Sequence, residues 1–286
     1  MQFLLEPLGF EFMRQALLMG MLLGILGAVV GCFMVVQRMS MMGDMISHSV
    51  MAGLPIAVFL GLPLPVGALV SGVFSALLLS AIETRSRLKI DSIMALVLAT
   101  FLALGTILVT VLPGANKIDL IHILFGNILG VTSHDLYLTA IVTAIIVVVV
   151  WLFYKELLFY TFDPIGAKAA GMPVDFYYSG IVVVISLTVV VSLQTVGVLL
   201  VIAMLVAPAM TAYLLVKELH QMIFWGGIFG ALASVLGMYC SYYFNTPSGS
   251  TIVLVAFGLF CLAFLFSPSQ GLLTTNGRKV LLEDEK

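Results

Sequence analysis

Charge is scarce in this chain. Only 9% of its 286 residues are Asp, Glu, Lys or Arg, and the net charge is −2, so neither a basic face for nucleic acid nor a polybasic membrane anchor is present. Cysteine is almost absent. Cys32, Cys240 and Cys261 stand singly inside apolar runs, which excludes a disulfide framework and a thiolate metal site and leaves them as small core hydrophobes. No GxxxxGK[ST] segment occurs, so the chain has no phosphate loop with which to use ATP and is not expected to be an enzyme. The first ten residues hold Glu6 and no Lys or Arg, and the apolar run after them is too long for a signal peptide, so no cleaved segment is expected.

Hydrophobic residues fill the space that charge leaves, at 62% of the chain, whereas a soluble domain is roughly half apolar and about a quarter charged. A bilayer can hide that much apolar surface. Windows of ~20 apolar residues, long enough to cross a hydrocarbon core as a helix, recur at 13–36, 39–60, 64–84, 91–112, 134–154, 176–193, 196–217, 221–243 and 250–267. The weakest is 64–84, which begins at Pro63-Leu64-Pro65. Residues 119–131 are apolar but too short to span, and read as a re-entrant or interfacial helix. The expected fold class is therefore an all-α integral membrane protein, a polytopic bundle of eight or nine transmembrane helices plus that short helix. Residues 1–267 form a single transmembrane domain in this reading, and 268–286 a cytoplasmic tail.

An odd number of crossings puts the two ends on opposite sides, and the Lys/Arg bias decides which end is inside. A cytoplasmic carboxyl terminus places Arg38, Arg85, Arg87, Lys89, Lys155, Lys168, Lys217, Arg278, Lys279 and Lys286 inside and leaves only Arg14 and Lys117 outside. The amino terminus then faces outward with the loops near 61–65, 113–133 and 244–249. Gly20, Gly24, Gly27 and Gly31 give the first span small-xxx-small spacing, which lets helix backbones approach closely. Packing within the subunit is favoured for this stripe over a subunit interface.

The stretch Gly43-Asp44-Met45-Ile46-Ser47-His48-Ser49-Val50-Met51-Ala52-Gly53 puts a carboxylate and an imidazole four residues apart, on one face of a helix. A span starting near Met39, with Ser40 as cap, puts His48 nine residues in, about 14 Å along the axis and close to the bilayer midplane. Burying an aspartate there costs on the order of 2.5–3.5 kcal/mol, so an intramembrane carboxylate points to function. The bland alternative makes Asp44 an N-cap after Gly43 and His48 a packed core histidine. The pair favours a metal or proton role, because oxygen plus imidazole suits Mn²⁺, Zn²⁺ or Fe²⁺. Two ligands make half a site. The rest comes either from a second copy in a symmetric dimer or from backbone carbonyls and hydroxyls, with Ser47 and Ser49 as weak candidates.

A second stretch, Phe162 to Pro173, lies in the longest cytoplasmic loop. Asp163 suits an N-cap, Pro164 the first helical position, Gly171 the C′ position, and Pro173 blocks continuation. A short capped helix over 163–171, with small residues suited to a groove on a partner, is expected here; a plain connector is the alternative. In a third stretch, Gly197 to Ala212, Pro208 falls in mid-span and frees a carbonyl, which makes Gly197 and Pro208 a hinge or a packing kink. His122, His134 and Asp135 read as exposed loop residues, and His220, beside Lys217 and Glu218, as interfacial.

These residues together resemble the membrane (permease) subunits of bacterial ABC importers for manganese, zinc and iron-type ions. The resemblance rests on Arg38-Met39-Ser40 with Gly43-Asp44-x-x-Ser47-His48-Ser49, on Asp163-Pro164 through Ala169-Ala170-Gly171, and on Gly197 through Ala207-Pro208-Ala209. It runs over nearly the whole chain in order. It implies a homodimeric permease in the bacterial plasma (inner) membrane, two cytoplasmic ATPase subunits, and an extracytoplasmic metal-binding protein that delivers the ion. It also implies that Asp44 and His48 lie on the metal path and that the 163–171 helix, with Asp163, Pro164, Ala167, Ala169, Ala170 and Gly171, docks on the ATPase. The transported ion it implies is Mn²⁺ ahead of Zn²⁺, with Fe²⁺ compatible, and no cofactor is held permanently. Relatives commonly carry Pro before the glycine that closes the first motif, whereas this chain has Ala52 before Gly53 and Pro55 beyond, which displaces any kink by about a turn. The rival from another class is a secondary transporter in which Asp44 and His48 relay protons.

Overall fold

The computed structural model describes residues 6–114, 126–267 and Gly271. Its long helices are α1 (Glu11–Val36), α2 (Met42–Leu60), α3 (Leu64–Arg85), α4 (Ile90–Val111) and α5 (Ser133–Leu152). Two short helices follow, α6 (Tyr154–Phe162) and α7 (Pro164–Ala169). The chain continues through α8 (Val174–Val196), α9 (Val198–Leu215), α10 (Leu219–Phe244) and α11 (Ser248–Phe266). Among the described residues there is no strand, and nine helices are long and apolar enough to cross a membrane. All nine match the spans expected from hydropathy to within a few residues. Exposed apolar side chains such as Val111, Trp151 and Leu254 suit surfaces in contact with lipid. Most of the expected 119–131 helix lies outside the described residues; its end contains a single 3-10 turn, Ile128–Gly130. The 268–286 tail, save Gly271, lies outside them too.

The chain divides into two compact units, one of residues 1–35, 127–140 and 203–286, the other of 36–126 and 141–202. In the first, the glycine stripe of α1 is consumed by close packing inside the chain. A β-carbon added at Gly24 would lie 2.7 Å from the Gly230 carbonyl carbon of α10, and one at Gly20 would lie 2.9 Å from Ser234 Cβ. The Ser234 hydroxyl donates to the Gly20 carbonyl at 2.8 Å. Gly27 and Gly31 lie against the backbone carbonyls of Met204 and Leu205. Pro208 explains part of this: it offers no N–H to the Met204 carbonyl four residues back, and that carbonyl rests on Gly27 instead.

In the second unit α2 is packed among α3, α4 and α8. Gly53 of α2 and Gly67 of α3 meet backbone to backbone, with no room for a side chain on either. A β-carbon at Gly105 of α4 would stand 2.8 Å from the Met51 carbonyl oxygen, so α4 closes on α2 just as tightly. Val50 and Leu54 of α2, Ala68 of α3, Val190 and Leu193 of α8, and Val198 at the start of α9 form one buried apolar cluster. α2 ends at Gly61 in the left-handed region (φ 66°), where its N–H and that of Leu62 return to the carbonyls of Val58 and Ala57, a Schellman closure.

Candidate functional site

α2 starts at Met42 rather than near Met39. Met41 occupies the N-cap position with no side-chain bond, so Ser40 does not cap the helix. Arg38 takes a left-handed conformation (φ 59°) and the Met42 N–H closes a turn onto the Met39 carbonyl at 2.9 Å, which absorbs the three residues expected to be helical. His48 is therefore six residues into the helix, about 9 Å along the axis, and three residues before the middle of the 19-residue α2. This shortens the expected offset of nine residues from the helix start to six. Asp44 is not a cap either: it lies inside the first turn, where the helix dipole favours a carboxylate.

The pair comes together as its spacing demands. His48 Nε2 stands 3.4 Å from Asp44 Oδ1, with the side chains 23% and 37% exposed respectively. That separation is long for a charge-assisted hydrogen bond. It suits two donors of one ion, since ligand distances near ~2.1 Å and angles between octahedral and tetrahedral separate them by about 3.0–3.4 Å. Nδ1 of His48 is buried with no hydrogen-bond partner among the described residues. The weak candidates Ser47 and Ser49 are buried, and their hydroxyls donate to the carbonyls of Gly43 and Met45 at 2.8 and 2.7 Å. Among the described residues no three His, Cys, Asp or Glu side chains gather into a metal-binding group. One chain thus presents two donors on one helical face.

The loop helix forms as its caps dictate. Asp163 accepts the Gly166 N–H at 2.8 Å, and Pro164 takes the first helical position. Gly171 turns left-handed (φ 84°). At this end the N–H groups of Met172 and Gly171 return to the carbonyls of Ala167 and Lys168, so both termini are satisfied locally. The helix is shorter than 163–171 because its first and last residues are caps. Ala167 faces inward, fully buried, while Ile165 is 82% exposed. The apolar knob that α7 presents is therefore Ile165, which composition did not single out; its only signal is its position two residues after the cap, opposite the buried alanine.

Gly197 (φ 83°) separates α8 from α9, and Gly126 (φ 60°) abuts the Val196–Gly197 peptide so closely that no side chain fits. Pro208 is accommodated within α9. His134 is exposed, and Asp135 accepts both the N–H and the hydroxyl of Thr132 at 3.0 and 2.7 Å, capping α5. His122 lies outside the described residues. His220 pairs with Glu218 at 3.2 Å in the open.

A multi-pass helical membrane protein with a paired carboxylate and imidazole on one span, and a capped helix in a connecting loop, has the features of a transport permease. Residues 9–267 match the ABC 3 transport family, and the chain belongs to it. It is 42% identical to the manganese transport system membrane protein MntC of Listeria monocytogenes, over 98% of this chain and 100% of that protein. It is 38% identical to a probable iron transport system membrane protein of Haemophilus influenzae, over 92% and 97% of the two chains. A solved structure, PsaBC from Streptococcus pneumoniae in complex with Fab, superposes with a TM-score of 0.82 at 40% identity, covering 99% of each chain.

Proposed function

We propose that this chain is the membrane subunit of an ATP-driven importer of divalent cations, carrying manganese ahead of zinc or iron along a path that includes Asp44 and His48. The observation that carries the reading is the pair itself: an imidazole nitrogen and a carboxylate oxygen held 3.4 Å apart on one helix. The naming of a relative with 42% identity as a manganese transport protein favours the metal, and that of another at 38% keeps iron in the set. Since one chain gathers no third such ligand among its described residues, two copies are taken to work together, each lending an oxygen and an imidazole. The 1–267 transmembrane domain acts with two cytoplasmic ATPase subunits through the 164–169 helix and receives its ion from an extracytoplasmic metal-binding protein. The amino terminus lies outside, and the carboxyl terminus and the 268–286 tail lie inside the bacterial plasma membrane. An incomplete, partly open shell fits a cargo that must leave.

The test is reconstitution in liposomes. Uptake of ⁵⁴Mn²⁺ is expected only when the ATPase, ATP and delivery protein are supplied, and is expected to be lost in Asp44→Ala and His48→Ala while the complex still assembles. Uptake by the chain alone under a pH gradient would instead establish the proton-coupled secondary transporter.

A further inference from the structure

The contact between α8 and α3 joins two residues 95 positions apart in sequence: the Tyr178 hydroxyl donates to the Glu83 carboxylate in a part-buried hydrogen bond. Both ends of this contact matter. Tyr178 lies in the second turn of α8, which follows α7 after the Gly171-Met172-Pro173 connection, and Glu83 lies in the last turn of α3. α3 is the helix locked to α2 by Gly53 against Gly67 and by the Ser71 hydroxyl on the Ser49 carbonyl at 2.6 Å. On the other side of α7, buried Tyr160 of α6 lies close enough to Glu83 and Asp175 that burial and the two carboxylates push its phenol up to about 12. Thr161, the next residue, accepts a hydrogen bond from the Gln37 amide at 3.1 Å, five residues before α2 begins. The elements on both sides of α7 thus reach by polar side chains toward the helices around Asp44 and His48.

We propose that Tyr178 and Glu83 are positioning residues for transport: their hydrogen bond is the link that carries displacement of α7 into α3, and through the α3–α2 contact into the helix bearing the cation pair. This rests on the importer reading above. Sliding of apolar helix faces transmits force poorly along the axis, because dispersion contacts are non-directional and re-form after a slip. A charge-assisted O–H···O⁻ bond is directional and short. Packing alone would hold α8 against α3 here; a tyrosine donating to a glutamate fixes their axial register as well.

The readout is metal transported per ATP hydrolysed, measured on the same liposomes holding the assembled complex with its ATPase and delivery protein. Tyr178→Phe keeps the ring and removes the donor; Glu83→Gln keeps a neutral acceptor. Tyr178→Phe is expected to lower metal per ATP at least fivefold with ATP hydrolysis retained, and Glu83→Gln to fall between it and the unaltered protein. A ratio unchanged in Tyr178→Phe would overturn the proposal, whether both rates persist or fall together. Loss of complex assembly in Tyr178→Phe would overturn it too, because the contact would then be a structural prop. The importer reading fails separately, if the unaltered protein moves metal without ATP.

Discussion

The Ser71 hydroxyl of α3 donates to the Ser49 carbonyl of α2 at 2.6 Å, one residue beyond His48. The helix that bears Asp44 and His48 is thereby pinned to its neighbour at the level of the pair. In a membrane interior such an interhelical bond contributes about 0.6 kcal/mol, up to about 1.7, because the Ser49 carbonyl keeps its helical role without it. Ser71→Ala is expected to lower unfolding stability in mixed micelles by about that much and to leave assembly intact. A loss beyond about 3 kcal/mol would mean that the bond holds more than one register.

Gly67 should behave differently. A β-carbon there would stand 2.6 Å from Ala57 Cβ and closer still to the Gly53 carbonyl, with backbone on the far side that cannot yield. Gly67→Leu is expected to separate α3 from α2, costing several kcal/mol by overpacking, and to abolish a monodisperse peak in detergent size exclusion. Normal elution of this variant would show that the two helices part without penalty.

Ile165 offers the converse case, a residue whose loss should cost nothing in the fold. It is 82% exposed, and exposed substitutions away from special features stay within about ±0.5 kcal/mol. If α7 docks into a groove of an ATPase, Ile165→Asp places an unpaired charge there. ATPase co-purification is expected to fall at least tenfold while the thermal transition of the isolated permease stays put. Ala167→Leu, by contrast, should disturb the permease itself, since Ala167 is fully buried in its own unit.

These contrasts mark what was readable from the chain. The nine spans and the cap residues of the loop helix are legible because their signals are local: an apolar window, an Asp-Pro start, a glycine stop. The Asp44–His48 pair is legible because spacing of four on a helix fixes a shared face whatever surrounds it. The start of α2 is not, since Ser40 is as good a cap as any, and only the left-handed turn at Arg38 uses up residues 39–41. Nor are Tyr178 and Glu83, which meet across 95 residues of chain, or the inward turn of Ala167, which depends on how α7 lies on its unit. Nothing in residue spacing names an ATPase or a delivery protein; only the family resemblance implies them.

The charge of Asp44 allows the sharpest test of the proposed path. Asp44→Asn preserves shape and one oxygen donor but removes the negative charge that favours a divalent ion over water. Outer contacts to a metal site are commonly worth 10–100-fold in affinity, and a direct ligand, the role proposed for Asp44, should be worth no less. With Asp44 in the helix's first turn and 37% exposed, the uncharged variant should fold and assemble normally, because no buried partner is left unpaired except His48. The expected outcome is an at least tenfold loss of metal uptake at unchanged basal ATP hydrolysis, and a matching loss in His48→Gln. If Asp44→Asn transports normally while His48→Gln does not, the imidazole alone meets the ion, and the 3.4 Å approach of the two side chains is only a helical hydrogen-bond neighbour.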